Sequence, residues 1–223
     1  MASLAECPDF AEVKPLTYAD YIHTPIGTHQ RDLTITAVYD AEYVRSRYEA
    51  IDANVRALSA RRLAVLYAFA PRRGMLLDFG AGSFRFVEAA IAAGWFAWGY
   101  DIAGQHHANF WDYKRGWPKF DVVTFFDSLE HLPDPAGLVG ELAPRVVMVS
   151  VPECHYPNTA EWFMDWKHRR PGEHLWHWNR RTLPAFMARL GYQCEMLSWF
   201  EDEFRPNHDQ AEPNILTGIF TRQ

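Results

Sequence analysis

Cysteine is scarce in this 223-residue sequence, and its spacing excludes two kinds of structural site. Cys7, Cys154 and Cys194 form no C-x-x-C pair, and their odd number leaves one unpaired. A disulfide framework and a cysteine-based zinc finger are therefore not expected.

Long apolar runs and an excess of basic residues are missing as well. No stretch approaches the roughly 18 apolar residues of a membrane span, and the first residues lack the basic start and apolar run of a signal peptide. These absences predict a cytoplasmic protein without a membrane partner. Lys and Arg number 22 against 28 Asp and Glu, a net charge of −6. That balance argues against an extended nucleic-acid footprint but is compatible with a nucleotide-sized ligand.

Aromatic residues, in contrast, are abundant: they make up 15% of the chain and include nine Trp. Hydrophobic residues reach 48% and charged residues 22%, which is typical of a globular chain with a sizeable core. Proline and glycine interrupt residues 1–38, which we interpret as an N-terminal arm, and a helical pattern begins at Tyr39. Residues 39–223 are predicted to form one domain.

Strand-like and helical segments alternate through most of that domain. Apolar runs at 75–79, 95–102, 120–127 and 145–151 are separated by amphipathic or Gly-terminated stretches. This order predicts an α/β fold, a doubly wound, mostly parallel sheet. Residues 192–200 and 215–221 are expected to pair as a closing hairpin at the sheet edge.

The segment 152–178, called the lid segment below, has little periodicity and is rich in His, Pro and Trp. A loop of this length is usually functional or disordered, and its aromatic content favours a folded lid or pocket wall. The four Trp residues of this segment would suit a flat acceptor or a sugar, or would fill a core. They are Trp162, Trp166, Trp176 and Trp178.

A Gly-rich turn follows the first apolar run. Gly80 and Gly82 allow a sharp turn that opens a helix, and Asp101 stands at the end of the next strand, where an acid takes ribose hydroxyls. A dinucleotide fingerprint fails because position 85 is Arg, and Asp78 would repel a pyrophosphate. Asp78 suits a cationic ligand better, such as the ammonium of S-adenosylmethionine.

Three segments resemble the motifs of class I S-adenosylmethionine-dependent methyltransferases, in particular the small UbiG-like, bacterial or phage type. They are Leu77-Asp-Phe-Gly-Ala-Gly-Ser83, Gly99-Tyr-Asp-Ile102 and Phe120–Leu132. The resemblance implies a Rossmann-like sheet of seven strands with the last strand antiparallel, and S-adenosyl-L-methionine as cofactor. It also implies that one group of residues surrounds the cofactor: Asp78, Gly80, Ala81, Gly82, Ser83, Phe84, Asp101, Ile102 and Asp127.

Phe84 departs from the family pattern, which places a third small Gly there. A Phe at this position is expected to narrow the turn or to swing over the cofactor.

The catalytic candidates stand at or just after the end of the apolar run 120–127, or lie in the lid segment: Asp127, His131, His168 and His174. A histidine is suited to remove a proton from the acceptor because its pKa lies near neutrality, although His131 also fits a structural role in its turn. Arg170 and its basic neighbours suit a phosphate or carboxylate on the acceptor. His174 and His177, with His168 or Glu173, have workable metal spacing, but no H-E-x-x-H pattern supports it, and we predict no metal.

The sequence thus predicts a methyltransferase acting on an oxygen or nitrogen of a small, nucleotide-, sugar- or quinone-like acceptor by in-line displacement. Two alternatives stay open: a protein that binds S-adenosylmethionine without transfer, and an enzyme that transfers another group from a modified sulfonium. No pattern indicates the oligomeric state.

Overall fold

The computed structural model describes residues 16–37, 52–103, 107–205 and 212–222. The strands within these ranges are β1 (Tyr21–Thr24), β2 (Gly27–Gln30), β3 (Met75–Phe79), β4 (Phe96–Tyr100), β5 (Val122–Phe126), β6 (Val146–Pro152), β7 (Trp176–His177), β8 (Tyr192–Ser198) and β9 (Ile215–Arg222). The α-helices are α1 (Asp52–Phe69), α2 (Arg85–Ala92), α3 (Pro135–Leu142), α4 (Ala160–Asp165) and α5 (Thr182–Arg189). The start of the predicted helix at Tyr39 lies outside the described residues.

The central sheet has the order β4-β3-β5-β6-β9-β8. Strands β3 to β6 run parallel, and β9 is antiparallel to both β6 and β8. The doubly wound α/β fold with an antiparallel last strand is therefore confirmed, as is the pairing of the closing hairpin.

The expected seventh strand is wrong: the described residues form a six-stranded central sheet. Phe110 contributes only an isolated parallel bridge to Gly99, at the free edge of β4. The chain then leaves the edge because the Asp112 side chain caps a short 3-10 turn, accepting a hydrogen bond from the Lys114 N–H at 3.0 Å. Gly116 ends that turn with a φ of 72° and prevents the extended run that a strand requires.

Helices cover both faces of the sheet. Successive strand residues point to opposite faces, so Leu76 packs with α1 and α2 whereas Leu77 packs with α3 and α5. The buried strands therefore read as continuous apolar runs. This arrangement leaves the carboxyl ends of the parallel strands at one edge, where loops carry polar side chains. No helix of the described residues is long and apolar enough to cross a membrane.

A second, three-stranded sheet lies beyond that edge. The hairpin of β1 and β2 pairs antiparallel with β7 of the lid segment, with Thr28 opposite His177 and His29 opposite Trp176. The N-terminal region, expected to be irregular, thus supplies two short strands that hold the lid segment. The proposed division at residue 38 falls outside the described residues and stays a prediction.

Candidate functional site

The turn between β3 and α2 is the tightest part of the site. Gly80 has a φ of 83° and Gly82 a φ of 49°, both in the left-handed region. A Cβ atom added to Gly80 would lie 2.4 Å from the Ser128 Cβ. The turn therefore requires glycine at residue 80, both for its backbone angles and for its approach to the segment after β5.

Phe84 does not have the position expected for it. Its φ of 61° is the left-handed value that favours glycine, yet its side chain is only 3% exposed. The ring stacks on His107 at 4.5 Å and covers Gly99, where an added Cβ would lie 2.5 Å from the Phe84 Cε1. The ring thus packs in the core below the turn, and it lines neither cavity described below.

The first cavity, called the turn cavity, has a volume of about 380 Å³. Asp101 lies at its wall and accepts hydrogen bonds from the Gly82 N–H at 2.8 Å and the Ala103 N–H at 2.9 Å. Ile102, which is 66% exposed, presents an apolar surface beside that carboxylate. No Lys or Arg of the described residues lines this cavity, so it offers no cation for a pyrophosphate.

The second cavity, called the charged cavity, has a volume of about 280 Å³. It shares Gly80, Asp127 and His131 with the turn cavity, so the two spaces adjoin at the carboxyl ends of β3 and β5. Its wall also contains predicted site residues from the turn and the lid segment: Asp78, Ala81, Ser83, His168 and His174.

Asp78 forms a buried acidic surface in the charged cavity. It is 3% exposed, and its Oδ1 accepts a hydrogen bond from the Thr124 hydroxyl at 2.7 Å. Burial raises the pKa of Asp78 to about 6, although the Thr124 hydrogen bond and the charge of Arg62 act in the opposite direction. A cation placed beside it would favour the ionised carboxylate.

Asp127 is held by an ionic network that sequence reasoning missed. It has a φ of 50° and forms an ion pair with Arg205, which also pairs with the fully buried Glu201. Glu201 accepts hydrogen bonds from the Arg62 Nε at 2.8 Å and Nη2 at 2.7 Å. Burial would raise the pKa of Glu201, but Arg62 and Arg205 hold it at about 2.

Glu130 and His131 form part of a 3-10 turn directly after Asp127, at Leu129–His131. His174 reaches this turn from the lid segment because the Leu175 N–H donates to the Glu130 carbonyl at 2.8 Å. The rings of His131 and His174 are perpendicular, with centroids 4.7 Å apart. Burial lowers the pKa of His174 well below its usual range and raises that of Glu130 well above it, so His174 is neutral at pH 7.

His168 faces the same cavity in a defined tautomer. Its Nε2 donates to the Asn214 Oδ1 at 2.8 Å, and the Asn214 amide is oriented by donating to the Arg205 carbonyl at 3.1 Å. Burial lowers the pKa of His168 to about 4. The ring is therefore neutral near pH 7, with the lone pair on Nδ1.

The expected aromatic wall is wrong. None of the four lid-segment Trp residues, all within the described ranges, lines the turn cavity or the charged cavity. Trp162 stacks on Trp166 at 5.5 Å and Trp176 on Trp178 at 5.6 Å, because these rings fill the core beneath the lid segment. Three acids, three arginines and three histidines are among the residues that line the charged cavity instead.

Other predicted residues divide between the site and the surrounding structure. Arg170 lines the charged cavity, whereas Arg169 donates to the Met164 carbonyl at 2.9 Å and fastens the lid segment. His155 donates from Nε2 to the Pro213 carbonyl at 2.7 Å and lines a separate cavity. The His177 ring packs against Phe163, with centroids 5.3 Å apart, and lines that same separate cavity. His174 and His177, whose spacing in the sequence suited a metal, therefore face different cavities.

Comparison with known proteins agrees with this fold. A family model described as a methyltransferase domain matches residues 43–197. Magnesium protoporphyrin IX methyltransferase from Synechocystis PCC 6803, solved with bound SAH, is 14% identical with a TM-score of 0.54 over 86% of this chain and 92% of that one. The 1,6-didemethyltoxoflavin-N1-methyltransferase of Burkholderia thailandensis, solved with S-adenosylhomocysteine, is 16% identical with a TM-score of 0.53 over 92% and 99%. No curated protein matches the chain by sequence.

Proposed function

This chain belongs to the class I S-adenosylmethionine-dependent methyltransferases, and from that premise we propose that it methylates an oxygen or nitrogen of a small polar acceptor in the charged cavity. The observation that carries the proposal is the junction of the two cavities. Gly80, Asp127 and His131 line both, so a donor in one space and an acceptor in the other would meet there.

The residues of the turn cavity fit S-adenosylmethionine. Asp101 offers a carboxylate to the ribose hydroxyls, and Ile102 offers an apolar surface to adenine. Asp78 lines the adjoining charged cavity together with Gly80, and its buried carboxylate would pair with the ammonium of the methionine part. The backbone turn from Gly80 to Ser83 would lie along the cofactor, and its shape is fixed by hydrogen bonds from the Gly80 and Ala81 N–H groups to the Tyr100 carbonyl. A cavity without Lys or Arg among its described lining residues suits this phosphate-free ligand better than a dinucleotide.

Phe84 leaves room for this cofactor, because its ring lies in the core. The alternative of a modified sulfonium, which rested on Phe84 covering the cofactor, therefore has no structural support. The small UbiG-like or phage subtype stays a prediction.

When bound, S-adenosylmethionine supplies an electrophilic methyl group on a sulfonium. The chain's own contribution is to align the acceptor and to accept its proton. His168 and His174 carry lone pairs at neutral pH because burial lowers their pKa values, and both line the charged cavity. Either ring can take the proton of a hydroxyl or amine as the new bond to carbon forms. Asp127, fixed by Arg205, would orient the acceptor.

Arg170 contributes a positive charge to the wall of the charged cavity. It pairs with Glu173 at 3.1 Å and is partly exposed. We propose that it contacts a carboxylate or phosphate of the acceptor, the groups that an Arg fork recognises.

Calorimetry with S-adenosylmethionine, S-adenosylhomocysteine and NAD tests the donor. We expect binding of the two sulfur compounds and none of NAD, whereas tight NAD binding without sulfonium binding would refute the proposal. Transfer of a labelled methyl group to a panel of hydroxylated and aminated nucleotides, sugars and quinones then tests turnover. Donor binding without transfer to any of them would favour the non-transferring alternative.

A further inference from the structure

Glu130, His131 and His174 form a compact group of potential metal ligands. One carboxylate oxygen and one nitrogen from each ring all lie within 4.8 Å of one another. The first two residues follow β5, and the third is brought in by the lid segment through the hydrogen bond from Leu175 to Glu130. No local spacing joins these two segments, so the sequence could not indicate the group.

The Glu130 carboxylate supplies a second, independent observation. The residue is 1% exposed, and neither carboxylate oxygen accepts a hydrogen bond from another residue within the described ranges. The nearest cationic candidate is the His131 Nε2, 3.9 Å from Oε1. A buried carboxylate without a partner is costly, and a bound ion is one of the few arrangements that satisfies it.

The chemistry of the three ligands selects the kind of metal. Two imidazole nitrogens with one carboxylate oxygen suit Zn²⁺, Fe²⁺, Co²⁺ or Mn²⁺, whereas Ca²⁺ and Mg²⁺ prefer all-oxygen sites. Three protein ligands leave coordination positions open, as in catalytic metal sites. All three residues line the charged cavity, so those positions would face its interior.

We propose that Glu130, His131 and His174 bind a divalent transition metal ion whose open positions take an oxygen of the methyl acceptor. The acceptor class is then a hydroxyl compound, because the metal favours the ionised form of a bound hydroxyl. The proton would pass to solvent or to the Nδ1 lone pair of His168, since the lone pair of His174 would be bound to the metal. The acceptor part of this inference rests on the proposed methyl-transfer function, whereas metal binding does not.

His168 provides a matched control. It lines the same cavity and is an imidazole of the same lid segment, but its Nε2 is committed to Asn214 and it is not part of the ligand group. Its replacement should therefore leave metal affinity unchanged, while loss of a true ligand should cost more than the roughly 10–100-fold typical of an outer partner.

The test is titration of the chelator-treated full chain with Co²⁺, followed by calorimetry and by the visible ligand-field bands. We expect one Co²⁺ per chain, with affinity lowered more than about 100-fold in Glu130→Gln and His174→Ala but not in His168→Ala. Absence of Co²⁺ binding, or equal affinity in Glu130→Gln, overturns the metal site. Circular dichroism reports folding, and His174→Gln with His131→Gln takes over if Glu130→Gln does not fold.

Acetohydroxamate, a small chelating oxygen ligand, tests the open positions. Its addition should change the Co²⁺ bands of the wild-type chain, and unchanged bands would overturn the acceptor part. S-adenosylhomocysteine affinity is measured on the same samples. Loss of metal binding with intact S-adenosylhomocysteine binding refutes this inference alone, whereas metal binding without S-adenosylhomocysteine binding refutes the proposed function alone.

Discussion

The turn cavity and the charged cavity adjoin, but they are built in different ways. The turn cavity is organised by short stretches in which residue type and spacing carry the geometry, such as Gly80, Gly82 and Asp101 at the ends of two adjacent strands. The charged cavity joins α1, the turn after β5, the lid segment and residue 205. The first depends on local backbone shape, and the second depends on tertiary packing of charges.

The largest expected effect is on the free energy of unfolding and tests whether the charged cavity depends on its buried ion pairs. In Arg62→Met, Glu201 would lose two hydrogen bonds in a fully buried position, while Arg205 alone would face Glu201 and Asp127. Breaking a buried ion pair by removing one partner typically costs about 3–5 kcal/mol in the free energy of unfolding. Urea denaturation measures this loss.

Arg61→Met is the matched control, because Arg61 is exposed on the same helix. Its effect should stay within about 0.5 kcal/mol. Equal losses in the two variants would mean that the charged cavity does not depend on the Glu201 network.

The next largest effect concerns the turn cavity. Asp101→Ala should weaken S-adenosylhomocysteine binding about 100-fold in calorimetry, because the two ribose hydroxyls would no longer donate hydrogen bonds to a charged carboxylate. Asp112→Ala is the control, since Asp112 caps a surface turn by accepting from the Lys114 N–H and does not line the cavity. Unchanged affinity in Asp101→Ala would remove the ribose role from this residue.

This contrast explains how much could be predicted from sequence. Apolar runs and the Gly-rich turn predicted the parallel sheet and part of the lining of the turn cavity, such as Gly80, Gly82 and Asp101, because both depend on neighbours in the chain. The seventh strand failed because the Asp112 cap and Gly116 turn the chain away after one bridge at Phe110. Phe84 was misplaced because its ring direction depends on the space over Gly99, which only the packed sheet defines.

The charged cavity could be predicted only in part. Asp127, His131, His168 and His174 were selected by residue type and by their place after a strand or in the lid segment. Their partners came from distant segments, as in the ion pair from Arg62 to Glu201. The prediction of an aromatic pocket wall was wrong because Trp is abundant both in pockets and in cores, so its abundance alone does not distinguish the two.

An intermediate effect concerns Asp78 and pH. Burial raises the pKa of Asp78 to about 6; the negative charge of Asp101 raises it as well, whereas the positive charge of Arg62 lowers it. Between pH 3.8, the ordinary pKa of the group, and pH 6, the folded chain therefore holds a proton that the unfolded chain has released. This residue therefore makes the free energy of unfolding fall as pH rises from 3.8 through 6, and Asp78→Asn should remove that slope.

Ligand affinity should change in the opposite direction. An ammonium beside Asp78 requires the ionised carboxylate, so S-adenosylmethionine affinity should fall about tenfold between pH 7 and pH 5. Calorimetry at both values measures it, with Asp78→Asn as the pH-independent reference. The same pH profile in wild type and Asp78→Asn would show that another group titrates.

The smallest expected effect lies at the exposed wall of the turn cavity. Ile102→Ala should lower S-adenosylhomocysteine affinity about fivefold, equivalent to about 1 kcal/mol of lost apolar contact with adenine. Ile91→Ala is the control, because Ile91 is also exposed but lies on α2 and lines neither cavity. A loss in Ile91→Ala equal to that in Ile102→Ala would contradict local contact with adenine.

A crystal structure of the full chain with S-adenosylhomocysteine tests the central claim most directly. The account predicts ribose hydroxyls on the Asp101 carboxylate, adenine against Ile102, and the sulfur at the junction lined by Gly80, Asp127 and His131. Density for the ligand elsewhere, or with its sulfur turned away from the charged cavity, would contradict the account.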